Sequence, residues 1–588
     1  MSATFVSDLW PAGQAAAPAE DELRRRCAEL AADRAAVDDW CARDPFARPV
    51  DEIAGMLGRI ADLRAMVLHW DGYYATELAG GRPDAAALRD VRLLAAAAVD
   101  TVDELMQSAE QAWLAVPDEL ARTLLAEPAI EPYRHYLAGV RALAPYTLSD
   151  QAEQALAARE TSANTAWVEL YYQVTSRLQP VVAGVPHSLE RARSLLELDD
   201  ADQREQSLEA IYEALEPMAP VLSKCLDSLV ADRLELDDVR GLPHPRAERD
   251  LTNELSSTVV DDMLAVVEEH YALPQRWFAR KAQLLGADRL AFAHMRAPIG
   301  AGETFAWSAA VRAVSAAFDG FAPDAGRMVR ELISGGHVDH EPREGKQQWA
   351  FCRSLGPGRP PRILLSYFDT VEDLVSLGHE SGHALQFTLA GRRQGGLTFD
   401  APLVLNEVAP AFTELLVMDW LIDNEPDPGS RRLLAAKRID TAIDAIFMST
   451  FLTRFETRAH RTRADGETLT DDRIRQLWTE CGQEFYGPPV ALPPRWGLHW
   501  ALVPHVIHER FYSYTYAFAR LVGLTLYANY RRDPDDFRPR FLDMLSRGSS
   551  IGPAEQLALL GIDLADRETW RVGMAQFAEL LDPLLAND

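Results

Sequence analysis

Lysine is almost missing from this chain. It occurs only at 224, 281, 346 and 437 among 59 basic residues, and 89 acidic residues outnumber these to give a formal net charge of −30. Such a balance repels phosphate, so neither nucleic-acid binding nor adhesion to anionic membrane is expected. Cysteine is scarce too: the five, at 27, 41, 225, 352 and 481, are scattered and contain no C-x-x-C pair. That excludes a disulfide framework and a zinc-finger spacing and suits thiols kept reduced. No run reaches the ~18 apolar residues of a membrane helix. The first 22 residues hold no basic segment followed by an apolar one, so no export signal is expected. No fixed-period repeat is present, which argues against a solenoid. The expected location is the cytoplasm.

What is present is helical periodicity. Apolar residues recur at i, i+3, i+4 and i+7 through 22–37, 51–79, 84–115 and 149–177, the stripe of an amphipathic helix. Breaks fall at Gly80-Gly81, Pro117, Pro128, Pro132, Pro145 and Gly184, where helices should stop. From about 340 to 368 the pattern changes. Residues 345–352 and 363–368 flank a Gly/Pro-rich turn at 356–361 and read as a small hairpin or sheet. Helices resume at Thr370. The class is mainly α with a small β element. Pro/Gly clusters at 241–245 and 298–302 mark candidate boundaries, and the expected organisation is a loose arm over 1–20, a helical lobe over 21–298 and a second lobe over 299–588.

Within that second lobe stands His379-Glu380-Ser381-Gly382-His383, an H-E-x-x-H. Thr370 and Asp373 form a capping arrangement before it, Leu374, Leu385 and Leu389 give a buried stripe, and Gly391 offers an end. At i, i+4 the two imidazoles share a helical face, so both can ligate one Zn²⁺. Glu380 then lies beside the open coordination position, placed to take a proton from water. Two solvated histidines on a surface helix are the bland alternative, and the apolar flanks disfavour it.

A catalytic zinc needs a third protein ligand. Gln386 and Leu389 stand where a metzincin has Gly and its third His, so that extension fails. Glu407, 24 residues after His383, begins a new helical pattern, with Pro410 comfortable only near its start. Glu414, two turns further on the same face, is either a partner for the non-ligating nitrogen of a zinc-bound His or a polar residue satisfied at a helix interface. Downstream, residues 499–516 pack three His and three Tyr together. His505, His508, Tyr512 and Tyr516 fall near one helical face. Such a stripe reads either as core or as donors to the oxyanion of peptide hydrolysis.

These motifs resemble the M3 metallopeptidases, and within them the oligoendopeptidase F branch. The resemblance runs through residues 132–137, Ala166-Trp167, 280–286, 296–298, Gly345-Lys346, 350–352, Leu477-Trp478, Tyr486-Gly487, 511–517 and 547–550. It implies a two-lobed helical clam shell around a deep channel, with one Zn²⁺ per chain held by His379, His383 and Glu407. Glu380 would be the general base. His505, His508, Tyr512, Tyr514 and Tyr516 would fall in the substrate and transition-state segment, with Tyr516 and His505 the first choices for the oxyanion. Trp349, Ala350 and Phe351 would lie along the substrate. The implied activity is endopeptidase cleavage of short unstructured peptides, with no obligate protein partner. Four positions depart from the branch: Trp349 replaces Gly, Gln386 replaces His, Pro410 replaces a small polar residue and Arg510 replaces Pro. The Trp349 change motivates the alternative of a dedicated processing peptidase that trims one leader or precursor peptide.

Overall fold

The amphipathic stripes become helices. A computed structural model describes residues 20–43, 45–81, 85–300, 304–347 and 349–586; the arm expected over 1–20 lies outside these, apart from Glu20, which opens the first helix. Helices Glu20–Cys41, Val50–Ala79 and Ala85–Leu114 match the first periodic stretches. The fourth is divided: Asp150–Glu160 and Ala166–Thr175 are joined by a π turn, Thr161–Thr165. Among the described residues, no helix is long and apolar enough to cross a membrane.

The chain forms two compact units. One comprises the described chain up to Ala144, then Glu303–Glu425 and Leu526–Asp563; the other comprises Pro145–Gly302, Pro426–Thr525 and the described part of Leu564–Asp588. Each unit is therefore assembled from three separate stretches, where the expected lobes were two continuous ones, 21–298 and 299–588.

In the first unit the three N-terminal helices enclose Leu57, Trp70, Val102 and Trp113. Phe46 sits between Trp40 and Trp113, with ring centroids 5.3 and 4.9 Å away. Burying such side chains stabilises by about 1.5–3 kcal/mol each. The expected β element is here as well: β1 (Val338–Asp339), β2 (Phe351–Arg353) and β3 (Arg362–Leu364) form a sheet of order β1-β3-β2. β2 runs antiparallel to β3, with Cys352 opposite Ile363, and β1 runs parallel to it. β2 is thus an edge.

Helix Val50–Ala79 braces this sheet. Gly72 lets it approach so closely that a Cβ there would lie 2.5 Å from the Ser354 carbonyl oxygen. Arg353 pairs with Asp71 at 2.5 Å, Arg362 pairs with Glu77, and the Gln347 N–H donates to the Ala79 carbonyl at 2.9 Å.

The second unit is organised around an aromatic core. Phe451 lies 4.6 Å from Trp478, which lies 5.5 Å from Trp496. Trp277 Nε1 and Lys281 Nζ both donate to Asp440, at 2.6 and 2.8 Å.

Candidate active site

The H-E-x-x-H segment sits inside helix Val371–Arg393. Its start is the expected capping box: Asp373 N–H donates to Thr370 Oγ1 and Asp373 Oδ2 accepts from Thr370 N–H, both at 3.1 Å. Its end is not the expected one. Gly391 stays helical because a side chain there would meet the turn at Gly358, whose N–H donates to the Gly391 carbonyl at 2.9 Å.

Helix Val408–Asn424 packs against it. The contact is very close at Gly382, where a Cβ would lie 2.3 Å from Thr413 Oγ1 and 2.8 Å from Pro410 Cα. Thr413 Oγ1 donates across the interface to the Gly378 carbonyl at 3.1 Å. Pro410 occupies the first turn, where its missing N–H costs nothing. Glu407 falls at the junction between the short helix Leu403–Asn406 and this one.

The packing gathers three side chains. His379 Nε2 lies 3.8 Å and His383 Nε2 4.0 Å from the two Glu407 carboxylate oxygens, and one ligand atom from each residue falls within 4.8 Å of the others. Donors at about 2.0–2.1 Å around a tetrahedral ion would stand roughly 3.3–3.4 Å apart. The set fits a zinc ion after a shift of about half an ångström, and two imidazoles with one carboxylate is the donor chemistry of a catalytic zinc. The other nitrogen of His379, Nδ1, is hydrogen-bonded to Glu414 Oε1 at 2.6 Å. Glu414 is therefore a hydrogen-bond partner of the His379 ring. Gln386 Nε2 donates to Asn406 Oδ1 at 2.9 Å, and Asn406 Nδ2 to the Ala401 carbonyl at 2.9 Å. The departure at Gln386 thus pins the turn that presents Glu407, a role that spacing alone did not reveal.

Glu380 is buried beside the trio, and Oε2 makes no hydrogen bond. Burial pushes its carboxyl up to about 7; His379 opposes this, Glu407 adds to it, and the backbone N–H of Cys352 in β2 favours the charged form. Burial works to lower His379, but the hydrogen bond and charge of Glu414 outweigh it and hold the imidazole up at about 9. Burial keeps His383 well below its ordinary value. A dication among these groups would oppose protonation of all of them.

The remaining predicted residues divide. Phe351 belongs to the edge strand β2, Ala350 precedes it, and Trp349 is 70 % exposed on the approach to that strand. In the second unit the segment expected to share one helical face is broken. Helix His505–His508 stops, Phe511 adopts φ +53°, and a new helix begins at Tyr514. Four side chains still converge. His505 lies 5.4 Å from His508, 5.8 Å from Tyr512 and 6.3 Å from Tyr516, with 5.4 Å between the two tyrosines, as ring centroids. Tyr514 does not join them. It is fully buried, and its hydroxyl accepts from Asn253 Nδ2 at 2.8 Å. Tyr172, unremarked in the sequence, does join: its hydroxyl lies 3.0 Å from His508 Nδ1.

Comparison with known proteins gives the family. Peptidase family M3 is matched by residues 309–576, and Oligopeptidase F by residues 113–179. Oligopeptidase PepF of Bacillus subtilis is 22 % identical over 475 residues, covering 79 % of this chain and 71 % of that one. The chromosomal oligoendopeptidase F of Lactococcus lactis subsp. cremoris is 22 % identical over 392 residues, covering 66 % and 65 %. Among solved structures, a peptidase from Chlamydophila abortus superposes with a TM-score of 0.81 at 19 % identity, covering 95 % of this chain and 96 % of that one. Oligoendopeptidase-F from Enterococcus faecium gives 0.71 at 18 % identity, covering 96 % and 98 %. With an H-E-x-x-H helix packed on its Glu407 partner and both family signatures in place, the chain belongs to peptidase family M3, in its oligoendopeptidase F branch, and is a metallopeptidase.

Proposed function

We propose that this metallopeptidase is a zinc-dependent oligoendopeptidase that hydrolyses internal bonds of short unstructured peptides. The observation that carries the reading is the convergence of His379, His383 and Glu407 beside the buried carboxyl of Glu380. Zinc held by those three residues would supply Lewis acidity toward water and the scissile carbonyl. Glu380 accepts a proton from the attacking water as its oxygen bonds to the scissile carbon, then hands that proton to the departing amine as the C–N bond breaks. Glu414 holds the His379 ring in place through Nδ1. His505 and Tyr516, with Tyr512 and His508 beside them, are the proposed donors to the oxyanion, an assignment that rests on the family resemblance and on their accessible cluster. Tyr514 is left out because its hydroxyl is committed to the core. All five cysteines are unpaired, which suits the proposed cytoplasmic location.

The test is Glu380→Gln, assayed with an internally quenched peptide alongside metal analysis. Turnover should fall by about 10³-fold or more while one zinc per chain is retained. Surviving hydrolysis would sink the mechanism. A second reading, a processing peptidase for one precursor, draws on the exposed Trp349 next to the edge strand. Cleavage across a panel of unrelated peptides would exclude it.

A further inference from the structure

The break in the His505–Tyr516 segment is held by ionisable side chains. Irregular backbone must still satisfy its N–H and C=O groups. Here Arg233 Nη2 donates to the Ile507 carbonyl at 2.5 Å, Arg249 Nε reaches the Arg510 carbonyl at 3.5 Å, and the Phe511 N–H donates to Glu456 Oε1 at 2.8 Å. The Arg510 side chain turns inward, with Nη1 and Nη2 donating to the two Asp237 carboxylate oxygens at 2.9 and 2.8 Å and Nε to Glu248 at 3.1 Å. Arg249 pairs with Glu509 and lies over the Tyr512 ring at 5.8 Å. Arg510, Asp237 and Glu456 are all buried.

Two features separate this arrangement from ordinary packing. A bulky residue at positive φ is strained and persists only where its surroundings fix it, and Phe511 is held by the buried carboxyl group of Glu456, which accepts from its N–H. A forked Arg–Asp pair fixes orientation as well as distance, whereas an apolar contact would hold the turn without defining its angle. The turn separates His505 and His508 from Tyr512 and Tyr516, so its geometry sets whether those four rings meet.

We infer that Asp237, Arg233, Arg249, Glu456 and Arg510 form a cage that poses the His505–Tyr516 cluster, and that Arg510 and Glu456 are positioning residues for hydrolysis, acting through Tyr512 and Tyr516 without touching substrate. The inference rests on the proposed donor role of those tyrosines.

The experiment uses the full-length, zinc-loaded protein and one quenched peptide. Arg510→Met should lower kcat by about 10–100-fold with KM changed less than about threefold and one zinc per chain kept, since small misplacements of catalytic groups cost this much. Arg510→Lys should restore only part of the loss, because an ammonium cannot grip both Asp237 oxygens. In a Tyr516→Phe background, Arg510→Met should cost less than about threefold more, because the two act as one unit. Equal losses in both backgrounds, or a wild-type kcat in folded Arg510→Met, would overturn the cage. If Arg510→Met does not fold, Arg249→Gln, at the edge of the cage, enters the same cycle with Tyr512→Phe and the same criterion. The single variants Tyr512→Phe and Tyr516→Phe keep the two ideas apart. If neither lowers kcat, the donor reading has failed; if they do lower it and the cycles are additive, the positioning inference alone has failed.

Discussion

Gly382→Ala tests whether the spacing of two helices sets the metal site. The added Cβ would sit 2.3 Å from Thr413 Oγ1, 2.8 Å from Pro410 Cα and 2.9 Å from Pro410 N. The Thr413 hydroxyl can rotate away at the cost of its bond to Gly378. The Pro410 backbone cannot, and bringing that contact from 2.8 Å to the ordinary 3.4 Å means moving the helices apart by 0.6 Å. One helix carries His379 and His383 and the other follows directly from Glu407, so the same shift would open the His379–Glu407 separation beyond its present 3.8 Å. Overpacking costs about 1–3 kcal/mol, and the better helix propensity of Ala returns about 1 kcal/mol. The net loss of stability is therefore about 0–2 kcal/mol, with zinc affinity expected to fall roughly 10–100-fold, as when a ligand's support is disturbed. Chelator competition measures the affinity, and thermal unfolding of the metal-free protein measures the stability. Gly378→Ala is the internal control. Its nearest neighbour is Val417 Cγ2 at 2.9 Å, a side-chain methyl that can shift, so its effect on zinc should stay within about threefold. A Gly382→Ala protein that is more stable than wild type and binds zinc equally well would refute the reasoning.

Other outcomes follow from single groups. Glu414→Gln keeps the shape beside His379 Nδ1 but removes the charge, and should weaken zinc binding about 10–100-fold in the same competition assay; an unchanged affinity would mean that the 2.6 Å contact is incidental. Burial pushes the Glu456 carboxyl from 4.5 up to about 8, against the pull of Phe511 N–H, Arg233, Arg249 and Arg510, with His460 packed nearby as a neutral ring. The folded state therefore keeps a proton that the unfolded chain releases above about pH 4.5, so stability declines as pH rises toward 8, by a few kcal/mol at most. Unfolding midpoints at pH 5 and 8 should differ less in Glu456→Gln than in wild type, and an equal difference in both would contradict the assignment.

The convergence of His379, His383 and Glu407 was legible because spacing reports geometry directly: i, i+4 on a helix fixes two imidazoles, and Pro410 limits where the next helix can start. Local periodicity also located the helices and the β2–β3 hairpin. It could not say which stretches pack together, since an apolar stripe names a face and not its partner; hence the interleaved units. Gly391 misled because a helix-ending glycine needs a left-handed residue, while this one serves a close approach to Gly358. Phe511 gave no warning of the break at 509–513, because nothing in a phenylalanine announces positive φ. Tyr512, Tyr514 and Tyr516 look alike in sequence, and only the buried Asn253 separates the middle one from its neighbours.

The interleaving has a consequence for synthesis. The first stretch of the first unit ends at Ala144, and its next stretch starts only at Glu303. At translation rates of about 5–20 residues per second, the residues between them take roughly 8–30 s to emerge. During that interval the N-terminal helices lack Leu355 and Leu397, which complete their core, and the Gly72 surface lacks its hairpin. A nascent chain stalled in this window presents uncovered apolar surface, while His379, His383 and Glu407, the residues proposed to hold the metal, have not yet been made.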